Sequence, residues 1–160
     1  MPDVSYRISL DYPRDPRTGD SFPGLWIGVG RLGTNSELEV QCHLDSGAEL
    51  SLFDGQIARG IGLELQRGVV QAYGTSSGAT LTARLHRVRL SHEELGHHEL
   101  RVGFSEQPIA RNLLGRDFFG LFQIGFWESQ SRLLFSPEAS SLDWCRCSSV
   151  RSPVRLRAPV

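Results

Sequence analysis

The chain has 160 residues, about one domain, and 39% of them are hydrophobic against 22% charged, a balance typical of a globular protein. Its 17 basic residues, all arginine, nearly match its 18 acidic ones, which argues against nucleic-acid binding through a basic face. No apolar run approaches the length of a transmembrane helix and no signal-peptide pattern opens the chain, so we expect no membrane partner. Its 3 cysteines predict no disulfide framework and favour a reducing compartment, the cytoplasm.

Short apolar segments separated by Gly, Asn and Ser predict a mostly β chain. Residues 1–21 are rich in Pro and Gly and predict an irregular segment with one short strand at 6–10. Residues 22–137 form the predicted domain, with turns at 33–36, 74–78 and 128–131. The predicted strands of this domain are residues 25–32, 38–44, 50–53, 69–73, 79–90, 100–104, 112–114, 122–127 and 132–135.

Helices are predicted to be few, because no stretch of about ten residues repeats its apolar positions with a period of 3.6. Asp54 can cap a brief helix through Ala58, and residues 115–121 can make one or two further turns. The apolar parity of the strand 79–90 switches near His86, which predicts a bulge or a twist there. Residues 138–160 predict a disordered basic tail, because its last part, residues 146–160, holds four arginines and no acid.

Two segments carry the candidate chemistry. An apolar run ends at Asp45 and another begins after Ala48, which predicts a carboxylate on a tight turn between two buried strands. In that turn Gly47 permits a close backbone approach and the Ser46 hydroxyl can bond locally. The second segment, Leu114-Gly115-Arg116-Asp117, sets an arginine in apolar surroundings, where it is costly unless paired. We expect Glu49 to be its partner.

These segments resemble the motifs of the retropepsins, the retroviral-type aspartic proteases with cellular and bacterial relatives. That family carries an Asp-Thr/Ser-Gly-Ala turn and, later, a Leu-Gly-Arg-Asp/Asn motif. Both occur here, as Asp45-Ser46-Gly47-Ala48-Glu49 and as the 114–117 segment, with a Gly-rich hairpin between them. The resemblance spans residues 22–137 and implies an all-β closed barrel with a flap hairpin and a short C-terminal helix. Ser46 departs from the commoner threonine, and residues 81–99 form an unusually long polar arm.

The resemblance also implies a function: hydrolysis of peptide bonds in an extended polypeptide, with no cofactor and no metal. The chemistry needs two carboxyls that share one proton, whereas this chain has one Asp-Ser-Gly turn. The implied enzyme is therefore a homodimer in which two copies of Asp45 meet at the twofold axis. By the same resemblance, Ser46, Gly47 and Ala48 support the catalytic turn, Glu49 and Arg116 form a structural salt bridge, and the flap that binds substrate consists of Tyr73, Gly74, Thr75, Ser76, Ser77 and Gly78.

Two other functions stay open at this point. One is a catalytically silent retropepsin-like module that dimerises or binds peptides, because a fold does not guarantee an activity. The other is a metal-binding β-barrel that uses the histidines and glutamates between His92 and Glu99, although the stretch lacks a His-Glu-x-x-His pattern and reads more simply as a solvated loop. Cys145 and Cys147 lie close together without a matching pair and predict an exposed tail.

Overall fold

The computed structural model describes residues 5–74, 78–137 and 154–155, and most of them lie in β-strands, as predicted. The chain divides into two compact units, one of Gly24–Phe118 and one of Met1–Pro23 together with Phe119–Val160. No helix in the described part is long and apolar enough to cross a lipid bilayer. The elements are β1 (Ser5–Tyr6), β2 (Ile8–Asp11), β3 (Gly24–Arg31), β4 (Glu37–Leu44), β5 (Leu52–Asp54), α1 (Gly55–Gly60), β6 (Val69–Gly74), β7 (Thr80–His92), β8 (Gly96–Ser105), β9 (Asn112–Leu114), α2 (Arg116–Phe119), β10 (Phe122–Trp127), β11 (Arg132–Pro137) and β12 (Val154–Arg155).

Six strands of the Gly24–Phe118 unit close into a barrel. Their order is β3-β4-β9-β5-β8-β7, and β7 pairs back onto β3 to complete the circle. β4 runs parallel to β9 and β5 runs parallel to β8, whereas the other neighbours are antiparallel. β6 lies outside the circle, paired to the first half of β7. The predicted hairpins at 33–36, 74–78 and 128–131 are confirmed by the antiparallel pairs β3–β4, β6–β7 and β10–β11.

β7 explains the change of apolar parity seen in the sequence. Ala83 is buried in its first half, and Val88 and Leu90 are buried in its second half. The register with β8 runs without a break from Ala83 to His92, so the described ladder holds no bulge. Instead the strand changes partner on its other edge, from β6 up to Leu85 to β3 from Val88 on. The face of β7 that is buried therefore changes at the point where the β6–β7 hairpin joins the barrel.

The core of this unit is apolar and aromatic. Phe53 and Phe104 are fully buried and pack with ring centroids 5.8 Å apart. Burial of a large apolar side chain contributes about 2 kcal/mol each. The short α1 begins as predicted, since the Asp54 carboxylate accepts a hydrogen bond from the amide of Gln56 at 2.8 Å. The other buried apolar residues of the unit are Leu25, Ile27, Val29, Cys42, Leu44, Leu52, Ala58, Ile61, Leu65, Ala83, Val88, Leu90, Leu95, Val102, Leu114 and Phe118.

The second unit is built on a three-stranded antiparallel sheet with the order β10-β11-β2. Its core includes Leu133, Leu134 and Phe135, which are at most 1% exposed. Tyr12 is buried beside this sheet and donates a hydrogen bond of 2.9 Å to the Glu128 carboxylate. Burial, reinforced by that bond and by the negative charge of Glu128, raises the pKa of Tyr12 to about 12.

The chain ends are described in part. The strand predicted at 6–10 is present as β1 and β2. The predicted tail, residues 138–160, lies outside the described residues except for β12, whose backbone pairs antiparallel with β1. Cys145 and Cys147 also lie outside them.

Candidate active site

Asp45 lies on a turn that two parallel strands hold in place. β4 ends at Leu44, and the pairing with β9 continues one residue further, because the Asp45 amide donates to the Leu114 carbonyl at 2.9 Å. The Asp45 Oδ1 atom accepts the Gly47 amide at 2.9 Å, and the Asp45 carbonyl accepts the Ala48 amide at 3.2 Å. One carboxylate oxygen thus braces the turn. The other forms no hydrogen bond with any residue in the described part of the chain.

The turn residues differ in exposure in a way that suits a surface site. Ser46 and Gly47 are exposed, while Asp45 and Ala48 are half-buried. A Cβ atom at Gly47 would stand 3.1 Å from Asp45 Oδ1, so a side chain there would crowd the carboxylate. Ala48 also accepts a hydrogen bond of 2.8 Å from the Arg116 amide, which fixes the far end of the turn to α2.

The turn opens into a groove of about 780 Å³ within the Gly24–Phe118 unit. This volume is in the usual range of ligand-binding clefts. Residues from the turn, from β6 and from the segment before β9 form its walls, and most of them are apolar. The lining residues are Asp45, Gly47, Ala48, Glu49, Leu50, Leu52, Gln71, Ala72, Tyr73, Gly74, Leu81, Ile109, Arg111 and Leu113.

The predicted flap residues fall partly within the structure. Tyr73 and Gly74 end β6 and line the groove. Gly74 pairs with Thr80, and Gly78 has a φ of +80°, a left-handed conformation that favours glycine. Thr75, Ser76 and Ser77 lie outside the described residues. The described arms of the predicted hairpin therefore contribute Tyr73, Gly74 and Leu81 to one wall of the groove.

Glu49 and Arg116 differ from the sequence-based expectation. Both side chains are exposed, and among the described residues no ion pair joins them. Arg116 is not a buried charge in the single chain, because α2 begins at the surface and directs the next residue, Asp117, inward. The cost that we expected for an unpaired arginine in apolar surroundings therefore does not apply to Arg116 in the single chain. Their salt bridge stays a prediction for the assembled protein.

Asp117 has a structural role at the site that the sequence analysis did not assign to it. Its Oδ1 atom accepts the Ser51 hydroxyl at 2.7 Å, the Ser51 amide at 2.9 Å and the Phe118 amide at 2.9 Å. The fully buried Ser51 hydroxyl in turn accepts the Gly115 amide at 3.0 Å. The sequence did contain an indication of this role, because Asp117, like Arg116, is a charged residue within the otherwise apolar stretch from Leu113 to Phe119.

Gly115 shows how closely the two motifs meet. A Cβ atom on it would stand 2.7 Å from the Leu50 carbonyl carbon and 2.9 Å from the Ala48 carbonyl oxygen. No backbone group can give way at that distance, so only glycine fits. The Asp45 turn and the 114–117 segment therefore pack backbone against backbone.

Tyr73 connects the groove to this buried cluster. Its hydroxyl is buried without a hydrogen-bond partner among the described residues, and so is Asp117 Oδ2. The ring packs against Gly103, where any side chain would collide with the hydroxyl. Burial raises the pKa of Tyr73 to about 12, and the negative charges of Asp117 and Glu49 add to the effect. The phenol stays neutral over the physiological range.

Other candidate chemistries find less support. In the described part of the chain, no group of three or more His, Cys, Asp or Glu side chains is arranged to hold a metal ion. His92 and His97 line a second groove with Glu93 and Glu94, and burial lowers the pKa of His92. Cys42 is fully buried, which raises the pKa of its thiol and makes it a core residue, not a nucleophile.

Comparison with known proteins identifies the fold. A retropepsin-like aspartic protease from Rickettsia conorii matches with a TM-score of 0.55 and 14% identity, over 84% of this chain and 95% of that one. The EIAV protease complexed with the inhibitor HBY-793 matches with a TM-score of 0.48 and 16% identity, over 64% of this chain and 89% of that one. No family model and no curated protein matches the sequence. The prediction of a retropepsin-like closed β-barrel with a short helix after β9 is confirmed at the level of the fold.

Proposed function

We propose that this chain, which has the retropepsin fold, is a homodimeric aspartic endopeptidase with Asp45 as its catalytic residue. The observation that carries the proposal is the placement of Asp45. Its carboxylate stands on a braced turn at the wall of a groove of about 780 Å³, and one of its oxygens forms no hydrogen bond within the described residues. No other Asp-Ser-Gly turn is available in the sequence.

The chemistry needs a second copy of this carboxyl. Two carboxyls close together hold one proton between them, because both cannot ionise at low cost. The ionised one takes a proton from water, whose oxygen bonds to the scissile carbonyl carbon, while the protonated one gives its proton to the carbonyl oxygen. Collapse of the resulting diol breaks the C–N bond: the protonated carboxyl gives its proton to the leaving nitrogen, and one diol hydroxyl returns a proton to the ionised carboxylate, which restores the shared proton. One chain supplies half of this pair, so the active species is a dimer with twofold symmetry.

The remaining predicted residues have roles consistent with their positions. Ser46, Gly47 and Ala48 shape the turn that presents Asp45. The hairpin at 73–78 covers the substrate, which lies as an extended strand against β6, the strand outside the closed circle. Glu49 and Arg116, exposed in the single chain, pair with each other or across the dimer after assembly. We place the protein in the cytoplasm because its 3 cysteines predict no disulfide framework.

Cleavage of a peptide library by the purified full chain and by its Asp45→Asn variant tests the proposal. We expect Asp45→Asn to reduce kcat/KM by at least about a thousandfold, since it removes the general base and acid at once. Asp20→Asn, a change of the same type at an exposed aspartate outside the groove, serves as the control and should retain activity. Equal cleavage by wild type and Asp45→Asn would overturn the proposal. Peptide binding without turnover would favour the silent module instead.

Sedimentation velocity tests the dimer separately. Wild-type protein should sediment as a dimer at the concentration where it cleaves peptide. Cleavage by a species that stays monomeric would show that one Asp45 suffices, contrary to the proposed mechanism.

A further inference from the structure

We infer that Arg111 is a specificity-determining residue that selects peptides with an acidic side chain near the scissile bond. The inference rests on the proposed endopeptidase function and names the substrate class of the same site. Its basis is the charge distribution in the groove and the way the fold presents this one side chain.

Among the described residues that line the groove, Arg111 is the one cation. Asp45 and Glu49 are the anions there, and most of the other lining residues are apolar. The Arg111 side chain is exposed, and no carboxylate of the described chain forms an ion pair with it. Its five N–H donors therefore remain available to a ligand in the groove.

The segment that carries Arg111 is tied to Asp54 on both sides, once through the Asp54 side chain and once through its backbone amide. The Asp54 carboxylate accepts the Ile109 amide at 3.2 Å, and the Asp54 amide donates to the Asn112 side-chain oxygen at 3.0 Å. The Asn112 amide group also donates to the Gln41 carbonyl at 3.2 Å. Since the loop is already ordered, a ligand that binds the guanidinium does not bear the entropy of ordering it.

A carboxylate is the ligand chemistry that this arrangement favours. The planar guanidinium matches a carboxylate with two parallel hydrogen bonds, and a groove with apolar walls strengthens the attraction compared with open solvent. Glu49 and Asp45 repel an acidic side chain elsewhere in the groove, so the preference is confined to the position beside Arg111. In a twofold dimer the two copies of Arg111 would favour acids at equivalent positions on both sides of the scissile bond.

The test compares peptide pairs that differ only by Asp against Asn or Glu against Gln at each position around the cleaved bond. The assay is run at a pH of about 6, where peptide carboxyls are ionised. We expect wild type to prefer the acidic member of at least one pair by about tenfold in kcat/KM, the size of one charge-assisted hydrogen bond. Arg111→Gln should bring that ratio to about one, and Arg111→Glu should favour Lys over Asp at the same position.

Arg101→Gln, at an exposed arginine of β8 outside the groove, is the matched control and should keep the acidic preference. A wild-type ratio near one, or an equal loss of preference in Arg111→Gln and Arg101→Gln, would overturn the inference while cleavage itself upholds the proposed function. If no peptide is cleaved, fluorescence anisotropy of the same labelled pairs decides. An Arg111-dependent preference in Kd would support the inference and reject the protease, and equal Kd values would reject both.

Discussion

Asp45 and Asp117 are two aspartates that follow the ends of neighbouring parallel strands, β4 and β9, yet their surroundings are opposite. Asp45 lines the groove and uses one oxygen for a single backbone hydrogen bond, while its other oxygen forms none within the described residues. Asp117 accepts three hydrogen bonds on one oxygen, and its other oxygen is buried. The first carboxylate is available to react, and the second holds two segments of backbone together.

The contrast shows that the environment assigns the role, not the residue type. A carboxylate whose acceptor capacity is taken up by local donors cannot rearrange during a reaction without loss of those bonds. A carboxylate with a free oxygen at a cleft can bind water or share a proton. The barrel places both kinds within one pair of motifs, so substitutions at the two positions should have separable effects.

The largest change in stability is expected for Asp117→Ala. The substitution removes the acceptor of the Ser51 amide and of the Ser51 hydroxyl and leaves both buried donors unsatisfied. It also removes one of the two acceptors of the Phe118 amide, which keeps the Gly115 carbonyl at 3.0 Å. The free energy of unfolding should fall by about 3 kcal/mol, about 1 kcal/mol for each lost bond. Urea denaturation followed by tryptophan fluorescence measures it.

Asp117→Asn is the control for this prediction, because an amide oxygen can still accept at the same place. Its loss of stability should be smaller than that of Asp117→Ala. If Asp117→Ala unfolds at the same urea concentration as wild type, Asp117 is not a structural anchor, and the contrast with Asp45 fails.

The sequence indicates the position of Asp45 on a turn but not the inward position of Asp117, for a physical reason. A turn between two apolar strands exposes whatever polar residue it contains, so the position of Asp45 follows from the pattern. Arg116 and Asp117 are neighbours in a single helical turn after Gly115, and only the direction of α2 decides which one faces inward. That direction depends on the contact between Gly115 and the 48–50 backbone, which no local pattern encodes.

The same distinction holds for the fold as a whole. Alternation of apolar residues located the hairpins, because each pairs neighbouring segments of chain. Closure of the barrel requires β3 to pair with the distant β7, and the parallel contacts of β4 with β9 also join remote segments. The sequence shows the change in the alternation of apolar residues near His86, but its cause, a change of strand partner along β7, depends on these long-range pairs.

Tyr73 lines the groove of Asp45 and lies close to the half-buried Asp117. Tyr73→Phe should change the free energy of unfolding less than Asp117→Ala does, and in the opposite direction. The Tyr73 hydroxyl is buried without a partner among the described residues, so its removal deletes a desolvation cost while the ring stays in place. The free energy of unfolding should rise by about 1 kcal/mol in the same urea assay. A loss of stability instead would mean that the hydroxyl has a partner in the folded protein, such as Asp117.

The pH dependence of stability above pH 10 gives a second test of the environment of Tyr73. The pKa of Tyr73 lies at about 12 in the folded chain against 10.0 for an ordinary tyrosine. The unfolded chain therefore releases this proton first, so the stability associated with the neutral phenol is complete below pH 10 and is lost as the pH rises toward 12. Tyr12 contributes in the same direction. Tyr73→Phe should make the loss of stability in this range shallower, and an unchanged slope would contradict the raised pKa.

The smallest change in stability is expected for Asp45→Asn, even though it should abolish cleavage. An asparagine oxygen can still accept the Gly47 amide, so the turn is kept, and the free energy of unfolding should change by less than about 0.5 kcal/mol. Asp45→Ala should cost about 1 kcal/mol, because it loses that bond. Urea denaturation of both variants beside Asp117→Ala gives a graded series. A destabilisation by Asp45→Asn as large as that by Asp117→Ala would make Asp45 a second anchor, and the lost cleavage would then reflect unfolding instead of chemistry.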